Sequence, residues 1–245
     1  MKAIILAGGL GTRLELKNIP KPMYKILDKP ILEHNILLLK KYEIDDICVA
    51  IHHFPDAIKD YFSDGKKFGV KICYSFEKQP LGTSGAVKNA QWFIDDNNPF
   101  FVIYGDNFTN INLREMLQNY KSASSLVQIA VFDRNKSQNS GIAGGFVKID
   151  EDNNIISFIE KSGNENQNGK NNYVNAGVYV LDPKIFGIIP KEKPSDFGKE
   201  IFPALLRKKS KLQAYIMMKG FVIAIDTKEA LQKTEKLLQD GGIQW

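Results

Sequence analysis

The 245-residue sequence has almost no cysteine: Cys48 and Cys73 are its only two. Two thiols, each inside a β-patterned apolar stretch, cannot build a disulfide framework. They read as buried free thiols of a reducing compartment, which predicts a cytoplasmic protein. Long apolar runs are missing too, so no segment reaches the length of a membrane span. The opening Met1–Gly9 starts like a signal peptide, but its apolar stretch is short and runs into glycines. Charge of one sign is also scarce in excess: Lys and Arg total 33 against 28 acids, a net +5 with no dense basic block. That balance suits a handler of anionic metabolites as well as a nucleic-acid binder, and alone it chooses neither. Internal repeats, serine-nucleophile motifs and Cys-x-x-Cys spacings are absent. With 43% hydrophobic and 25% charged residues the chain is neither disordered nor fibrous.

What is present is an alternation of strand and helix signals. Ala3–Ala7 is a short apolar run that breaks at glycines. Ile31–Tyr42 carries apolar residues at helical spacing, and Ile47–Ile51 returns to strand character. Pro55–Phe62 predicts a helix, Val70–Tyr74 a strand, Gly85–Ile94 a helix, Phe100–Tyr104 a strand and Leu113–Tyr120 a helix. This order implies parallel strands joined by right-handed crossovers, with helices on both faces of the sheet. The second half is richer in strands, at Leu126–Phe132, Gly145–Ile149, Ile155–Glu160, Gly177–Leu181 and Lys219–Ile225. Helical patterns cover Phe197–Lys208 and Lys228–Leu238. Gly163–Asn172 has no core-forming residue and reads as an exposed loop. No composition boundary divides the chain, so the expectation is one α/β domain over residues 1–245.

The strongest local signal is Leu6-Ala7-Gly8-Gly9-Leu10-Gly11-Thr12-Arg13-Leu14, followed by Pro20-Lys21-Pro22. The loop follows the first strand, where an open α/β sheet places its ligand crevice. Glycines let the backbone turn tightly and bring N–H groups against phosphate oxygens. Arg13 adds a planar charged fork and Lys21 a compact one. A dinucleotide fingerprint fails, because the third glycine would fall at Leu14. A Walker loop fails, because no Gly-Lys-Ser/Thr follows. A plain β–α turn explains the glycines but not Arg13 and Lys21 beside them.

Gly8-Gly9-Leu10-Gly11-Thr12-Arg13 with Pro20-Lys21-Pro22 resembles the signature of the sugar-1-phosphate nucleotidyltransferases. The resemblance runs from Lys2 to about Leu238 and implies a Rossmann-like fold with a mainly parallel mixed sheet flanked by helices. It also implies that the catalytic domain takes up the whole length, without a hexapeptide-repeat extension. Residues 1 to about 110 would form the nucleotide-binding half, and about 111–245 the sugar-phosphate half. The family loop wraps a nucleoside triphosphate, which would assign Leu6, Ala7, Gly8, Gly9, Gly11, Thr12, Arg13 and Lys21 to the nucleotide. Glu77-Lys78-Gln79-Pro80-Leu81-Gly82-Thr83 resembles the segment along the nucleobase, with Pro80, Gly82 and Thr83 as candidate contacts. Tyr104-Gly105-Asp106-Asn107 resembles the metal-binding Gly-Asp. Gly145, Glu160-Lys161 and Asn175 resemble the sugar-phosphate segments. Ser195-Asp196-Phe197-Gly198-Lys199-Glu200 is most similar to mannose-1-phosphate and heptose-1-phosphate guanylyltransferases.

The resemblance implies Mg²⁺ as cofactor, held by Asp106 and a second late carboxylate. Many relatives carry Asp-Ile-Gly-Thr-Pro-Glu where this chain has Ile223-Ala224-Ile225-Asp226-Thr227-Lys228-Glu229. A gapless match puts Ala224 at the metal position, whereas a two-residue deletion puts Asp226 there. Residues two apart on a strand face one side, displaced by about 7 Å, so Asp226 is the expected ligand if the strand extends that far. Otherwise Asp226 caps the following helix. His52 and His53 follow a strand, where adjacent residues point to opposite faces, and so make a poor chelating pair.

The implied reaction converts a nucleoside triphosphate and a sugar 1-phosphate into an NDP-sugar and pyrophosphate, for glycan, capsule or lipopolysaccharide building. The attacking phosphate is already ionised, so no general base is required. The protein's task is to align two polyanions and neutralise the transition state, and Arg13, Lys21 and Asp106 are the catalytic candidates. The Pro80–Thr83 and Asp196–Gly198 segments lean toward GTP, and the sugar toward mannose or a heptose. Two alternatives stay open: another base or a non-sugar phosphate acceptor, and a catalytically silent nucleotide-sugar-binding subunit. The expected partners are the two substrates, without nucleic acid or membrane, and with homo-oligomerisation open.

Overall fold

The structure, a computed structural model, describes residues 1–9, 19–133, 145–160, 173–225 and 228–243. The chain enters through β1 (Lys2–Leu6) and a small hairpin of β2 (Lys25–Ile26) and β3 (Lys29–Pro30). It continues through α1 (Ile31–Lys41), β4 (Asp46–Ile51), α2 (Pro55–Phe62), β5 (Lys71–Phe76), α3 (Gly82–Asn89), β6 (Phe100–Tyr104), β7 (Asn107–Thr109) and α4 (Leu113–Ala123). The second half comprises β8 (Val127–Asp133), β9 (Phe146–Ile149), β10 (Ile155–Ile159), β11 (Tyr173–Leu181), α5 (Phe202–Arg207), β12 (Leu212–Ile216), β13 (Val222–Ala224) and α6 (Lys228–Gln239).

β1 has an unbroken apolar core, Ala3-Ile4-Ile5, fully buried, and a strand without a polar face must be covered on both sides. Its period of two sends Ala3 and Ile5 to a cluster with Leu32, Ile36 and Leu39 of α1, Phe62 of α2 and Met116 of α4. Ile4 joins the opposite cluster with Val87 of α3 and Phe202 and Leu205 of α5. β1 pairs in parallel with β4 and β6, and β4 in parallel with β5, as the first-half alternation predicts. The second half departs from parallel order. β11 lies antiparallel to β6, β8 and β9, so it stitches the later strands onto the parallel core of a nine-stranded mixed sheet. β8 then pairs in parallel with β12. Among the described residues no helix is long and apolar enough to cross a membrane.

Several expected boundaries move, each for a local reason. The helix predicted over Gly85–Ile94 begins at Gly82, ends at Asn89 and is followed by a separate 3₁₀ turn at Gln91–Phe93. The helix predicted over Phe197–Lys208 is a π-helical turn, Phe197–Ile201, running into α5. Pro203 has no N–H to donate, and the ladder widens just ahead of it. The strand expected at Gly177–Leu181 begins at Tyr173, with a register break between Asn175 and Tyr179 around Gly177. The strand expected over Lys219–Ile225 is confined to Val222–Ala224, paired with β7. β7, β12 and the β2–β3 hairpin have no counterpart in the sequence reading. The loop expected at Gly163–Asn172 lies outside the described residues.

Candidate active site

Leu6 and Tyr104 are paired neighbours at the carboxyl ends of β1 and β6; β6 runs directly into Gly105, and β1 reaches Gly8 after Ala7. The two turns touch: Gly105 N–H donates to the Leu6 carbonyl at 2.9 Å. A Cβ on Gly105 would stand 2.8 Å from that oxygen, so the close approach requires glycine here. Beyond Gly105, Asp106 faces a cleft of about 290 Å³ that also meets Gly8, Gly9 and Lys21. This is the crevice outside the carboxyl ends of the strands that an open α/β sheet offers to ligands.

Lys21 reaches the cleft on a short 3₁₀ turn, Lys21–Met23, that follows Pro20. It is buried, and its Nζ pairs with Asp106 Oδ2 at 2.5 Å. The two residues are far apart in sequence and meet only because β1 and β6 are adjacent. The Asp106 carboxylate offsets part of the cost of burying the Lys21 ammonium.

The far wall of the cleft carries a group absent from the sequence-based candidates. Glu77 follows β5 and is only 4% exposed. Its Oε2 accepts the Leu81 N–H at 3.0 Å, and its carbonyl accepts from His52 Nδ1 at 2.8 Å. The carboxylate arches over Gly8, so closely that a Cβ there would lie 2.7 Å from Oε1. Burial pushes its carboxyl above the usual glutamate range, opposed by the Leu81 N–H and by His52. Among the described residues no lysine or arginine pairs with it. His52 is thus spent on holding the Glu77 backbone, and His53 packs its ring against Phe54, tilted by 56° with centroids 4.1 Å apart. The two histidines thus have separate partners just past the end of β4.

The loop after Glu77 is anchored from a distance. Gly82 has φ +72, and a Cβ there would collide with the Ser195 carbonyl. Ser195 N–H donates to Leu81 O at 2.8 Å, and its carbonyl accepts from Ser84 and Gly85. Thr83 donates its hydroxyl to Asp196 Oδ2 at 2.8 Å and accepts the Phe197 N–H at 2.9 Å. Asp196, whose Oδ1 caps the π-helical turn through Gly198 and Lys199, therefore lines the cleft opposite Gly8. Tyr104 closes the floor, its hydroxyl accepting from Tyr179 at 3.1 Å.

The structure brings together Leu6, Gly8, Gly9, Lys21, Pro80, Gly82, Thr83 and Asp106, all candidates from sequence, as cleft-lining residues. Ala7 is buried, its N–H bonded to Ala50 O. Gly145, Glu160 and Asn175 do not line this cleft. They cluster beside it: Asn175 N–H donates to Gly145 O at 2.9 Å, and Glu160 Oε2 lies against Gly145 and Gly198. The Asn175 amide is committed internally, donating to Tyr179 Oη at 2.8 Å and accepting the Gly177 N–H at 2.9 Å. Burial, then the nearby Asp196 charge, raise the Glu160 carboxyl, with Lys199 opposing. Gly11, Thr12, Arg13, Lys161 and Asp226 lie outside the described residues. Ala224, the gapless alternative to Asp226, sits in β13 opposite Asn107 and has no metal-binding group. Glu77, Tyr104 and Asp196 are the polar cleft residues missed from sequence, beside apolar Pro22, Leu81 and Ala86. Glu77 lies within the Glu77–Thr83 motif, and only its burial without a cationic partner marks it out.

A family model described as nucleotidyl transferase matches residues 2–238. D-glycero-alpha-D-manno-heptose 1-phosphate guanylyltransferase of Campylobacter jejuni is 39% identical over 225 residues, 91% of this chain and 93% of the relative. The mannose-1-phosphate guanylyltransferase catalytic subunit beta of Dictyostelium discoideum is 35% identical over 84% of this chain, which spans 56% of that longer protein. Among solved structures, HddC of Yersinia pseudotuberculosis in complex with GMP-PN superposes with a TM-score of 0.77. It is 28% identical, and the match covers 97% of this chain and 99% of that one.

Proposed function

Because the chain belongs to the nucleotidyl transferase family, we propose that it transfers GMP from GTP to a sugar 1-phosphate of the heptose or mannose type. A sugar-phosphate oxygen attacks the α-phosphorus, the bond to the β-phosphate bridge breaks, and pyrophosphate leaves as a GDP-sugar forms. The observation that carries the reading is the polarity of the cleft, with a buried carboxylate at one end and the Lys21–Asp106 pair at the other. Guanine presents two adjacent donors, N1–H and the N2 amino group, and Glu77 offers an acceptor whose Oε1 is not used by Leu81. Uracil, cytosine and adenine present an acceptor where guanine presents one of those donors, and an ionised carboxylate repels it. The guanylyltransferase relatives and the GMP-PN complex of the structural neighbour support this choice of base.

At the other end Lys21 exchanges Asp106 for a phosphate oxygen, and Arg13, Gly11 and Thr12 complete the phosphate cradle. Asp106 fits Mg²⁺: its Oδ1 makes no hydrogen bond or ion pair among the described residues, and carboxylate oxygen is the donor that hard cation prefers. Asp226 follows Ile225, whose N–H donates to the Asp106 carbonyl at 3.3 Å, and is the second proposed ligand. When bound, the ion neutralises charge on the phosphates. Glu160, Lys161, Gly145 and Asn175 shape the sugar-phosphate side. The division into a nucleotide half and a sugar half is accordingly functional, since Asp196 of the second lines the cleft of the first.

Pyrophosphate release, measured for five nucleoside triphosphates against mannose, heptose and glucose 1-phosphates, tests the proposal. GTP with a heptose or mannose 1-phosphate should give the highest rate. Preference for UTP or dTTP would overturn the base assignment. Tight nucleotide binding without release from any pair would mark a silent subunit.

A further inference from the structure

Behind the nucleobase loop lies a second cavity, of about 630 Å³, walled by Leu81 on the side shared with the first. Four lysines line it, Lys78, Lys88, Lys191 and Lys193, against the single carboxylate of Glu192. None of the four pairs with a carboxylate among the described residues. Backbone hydrogen bonds bring together the segments that carry three of them. The Ser195 bonds to Leu81, Ser84 and Gly85 clamp the segment carrying Lys191 and Lys193 onto the start of α3, which carries Lys88. Gly85 is packed so tightly there that a Cβ would stand 3.2 Å from the Lys193 carbonyl. Lys88 Nζ donates to the Phe186 carbonyl, and burial, then the neighbouring Lys191 charge, depress its ammonium.

The cavity offers more than charge. Phe76 is 50% exposed at its edge, a flat apolar face that costs free energy in water and suits a stacked base. Gln79 and Gln91 supply amides that donate and accept, as ribose hydroxyls and base edges require, while the Asn89 NH₂ is spent on Ser75 Oγ and the Phe76 carbonyl. A lone phosphate would fill a small fraction of this volume, whereas it lies within the range of cavities that hold drug- and nucleotide-sized ligands.

We propose that this cavity is a second binding site for a nucleoside diphosphate, its phosphates among Lys88, Lys191 and Lys193 and its base against Phe76. The site is separate from the catalytic cleft and shares only the Leu81 wall with it. Lys191 and Lys193 are exposed, so Lys191→Ala/Lys193→Ala leaves the fold and the turnover number unchanged.

Calorimetric titration with GDP tests the proposal by stoichiometry. Wild type should bind two GDP per chain, and the double-lysine variant one. Glu77→Gln should weaken the cleft site and leave the lysine-dependent site intact. One GDP per chain in wild type overturns the second site, and two in the double-lysine variant overturn its location. If Glu77→Gln alters neither site, the guanine assignment fails while the second site stands.

Discussion

Glu77→Gln gives the sharpest test of how the cleft reads its base. The substitution preserves shape and removes charge, but the surroundings dictate which way the amide turns. Leu81 N–H needs an acceptor and now takes Glu77 Oε2 at 3.0 Å, so the glutamine oxygen must stay there. The NH₂ then occupies the position over Gly8 and faces the guanine N1–H and amino group, donor against donor. A hydrogen bond involving a charged group contributes about 1.5–3 kcal/mol. At about 1.4 kcal/mol per decade, kcat/KM for GTP should fall about 10- to 150-fold. UTP, whose carbonyls accept from an amide, should gain relative to GTP. Stability should move the opposite way. Glu77 holds its proton more tightly folded than unfolded, because burial disfavours the charge. Its contribution is therefore full below the unfolded glutamate value and is lost as pH rises through the folded one. At pH 8 the variant, with no charge to bury, should melt above wild type, and the difference should shrink toward pH 4. Pyrophosphate release with GTP and UTP, with melting curves at both pH values, reads out both effects. A folded variant with GTP kcat/KM within twofold of wild type would refute the reasoning.

Asp106→Ala should lower Mg²⁺-dependent pyrophosphate release by at least about 100-fold in a variant that still folds, with a lower melting temperature because Lys21 loses its partner, and near-normal turnover would remove Asp106 from the chemistry. Gly82→Ala places a side chain at φ +72 and against the Ser195 carbonyl, so it should cost about 1–3 kcal/mol. For a chain of this size that lowers the melting temperature by at least about 2 °C, and an unchanged melting point would contradict the strain argument. Cys48 and Cys73 are directly opposed on β4 and β5. The hydrogen bond between them lowers the Cys73 thiol and raises that of the buried Cys48. Iodoacetamide on the native protein should label Cys73 first, and peptide mapping that finds Cys48 first would reverse the assignment.

The parallel core was legible because its signals are local. An apolar run such as Phe100–Tyr104 and the helical spacing within Ile31–Lys41 each identify their element without reference to the rest. Both cysteines are free in the sheet, but of the two expected to be buried only Cys48 is, and Cys73 is half-buried. The antiparallel second half was less legible. β12 is a short segment whose strand character depends on β8 beside it, and β7 is three residues that become a strand only by pairing with β13. Short strands carry too few residues for a period to show, and their partner decides them.

The sequence by itself determined the glycine loop after the first strand, the cations near it and the aspartate after Gly105, since tight turns and hard-oxygen ligands require particular residue types at particular spacings. It could not determine what faces what across the cleft. The Lys21–Asp106 pair, the Glu77 carboxylate over Gly8, and Asp196 held by Thr83 each join residues that are remote along the chain. Such pairings follow from which strands lie side by side and how a loop crosses their ends. A lone glutamate in a polar motif looks the same in sequence whether it is solvated or buried. Only the packed sheet removes the water from Glu77, and the role proposed for it in reading a base rests on that burial.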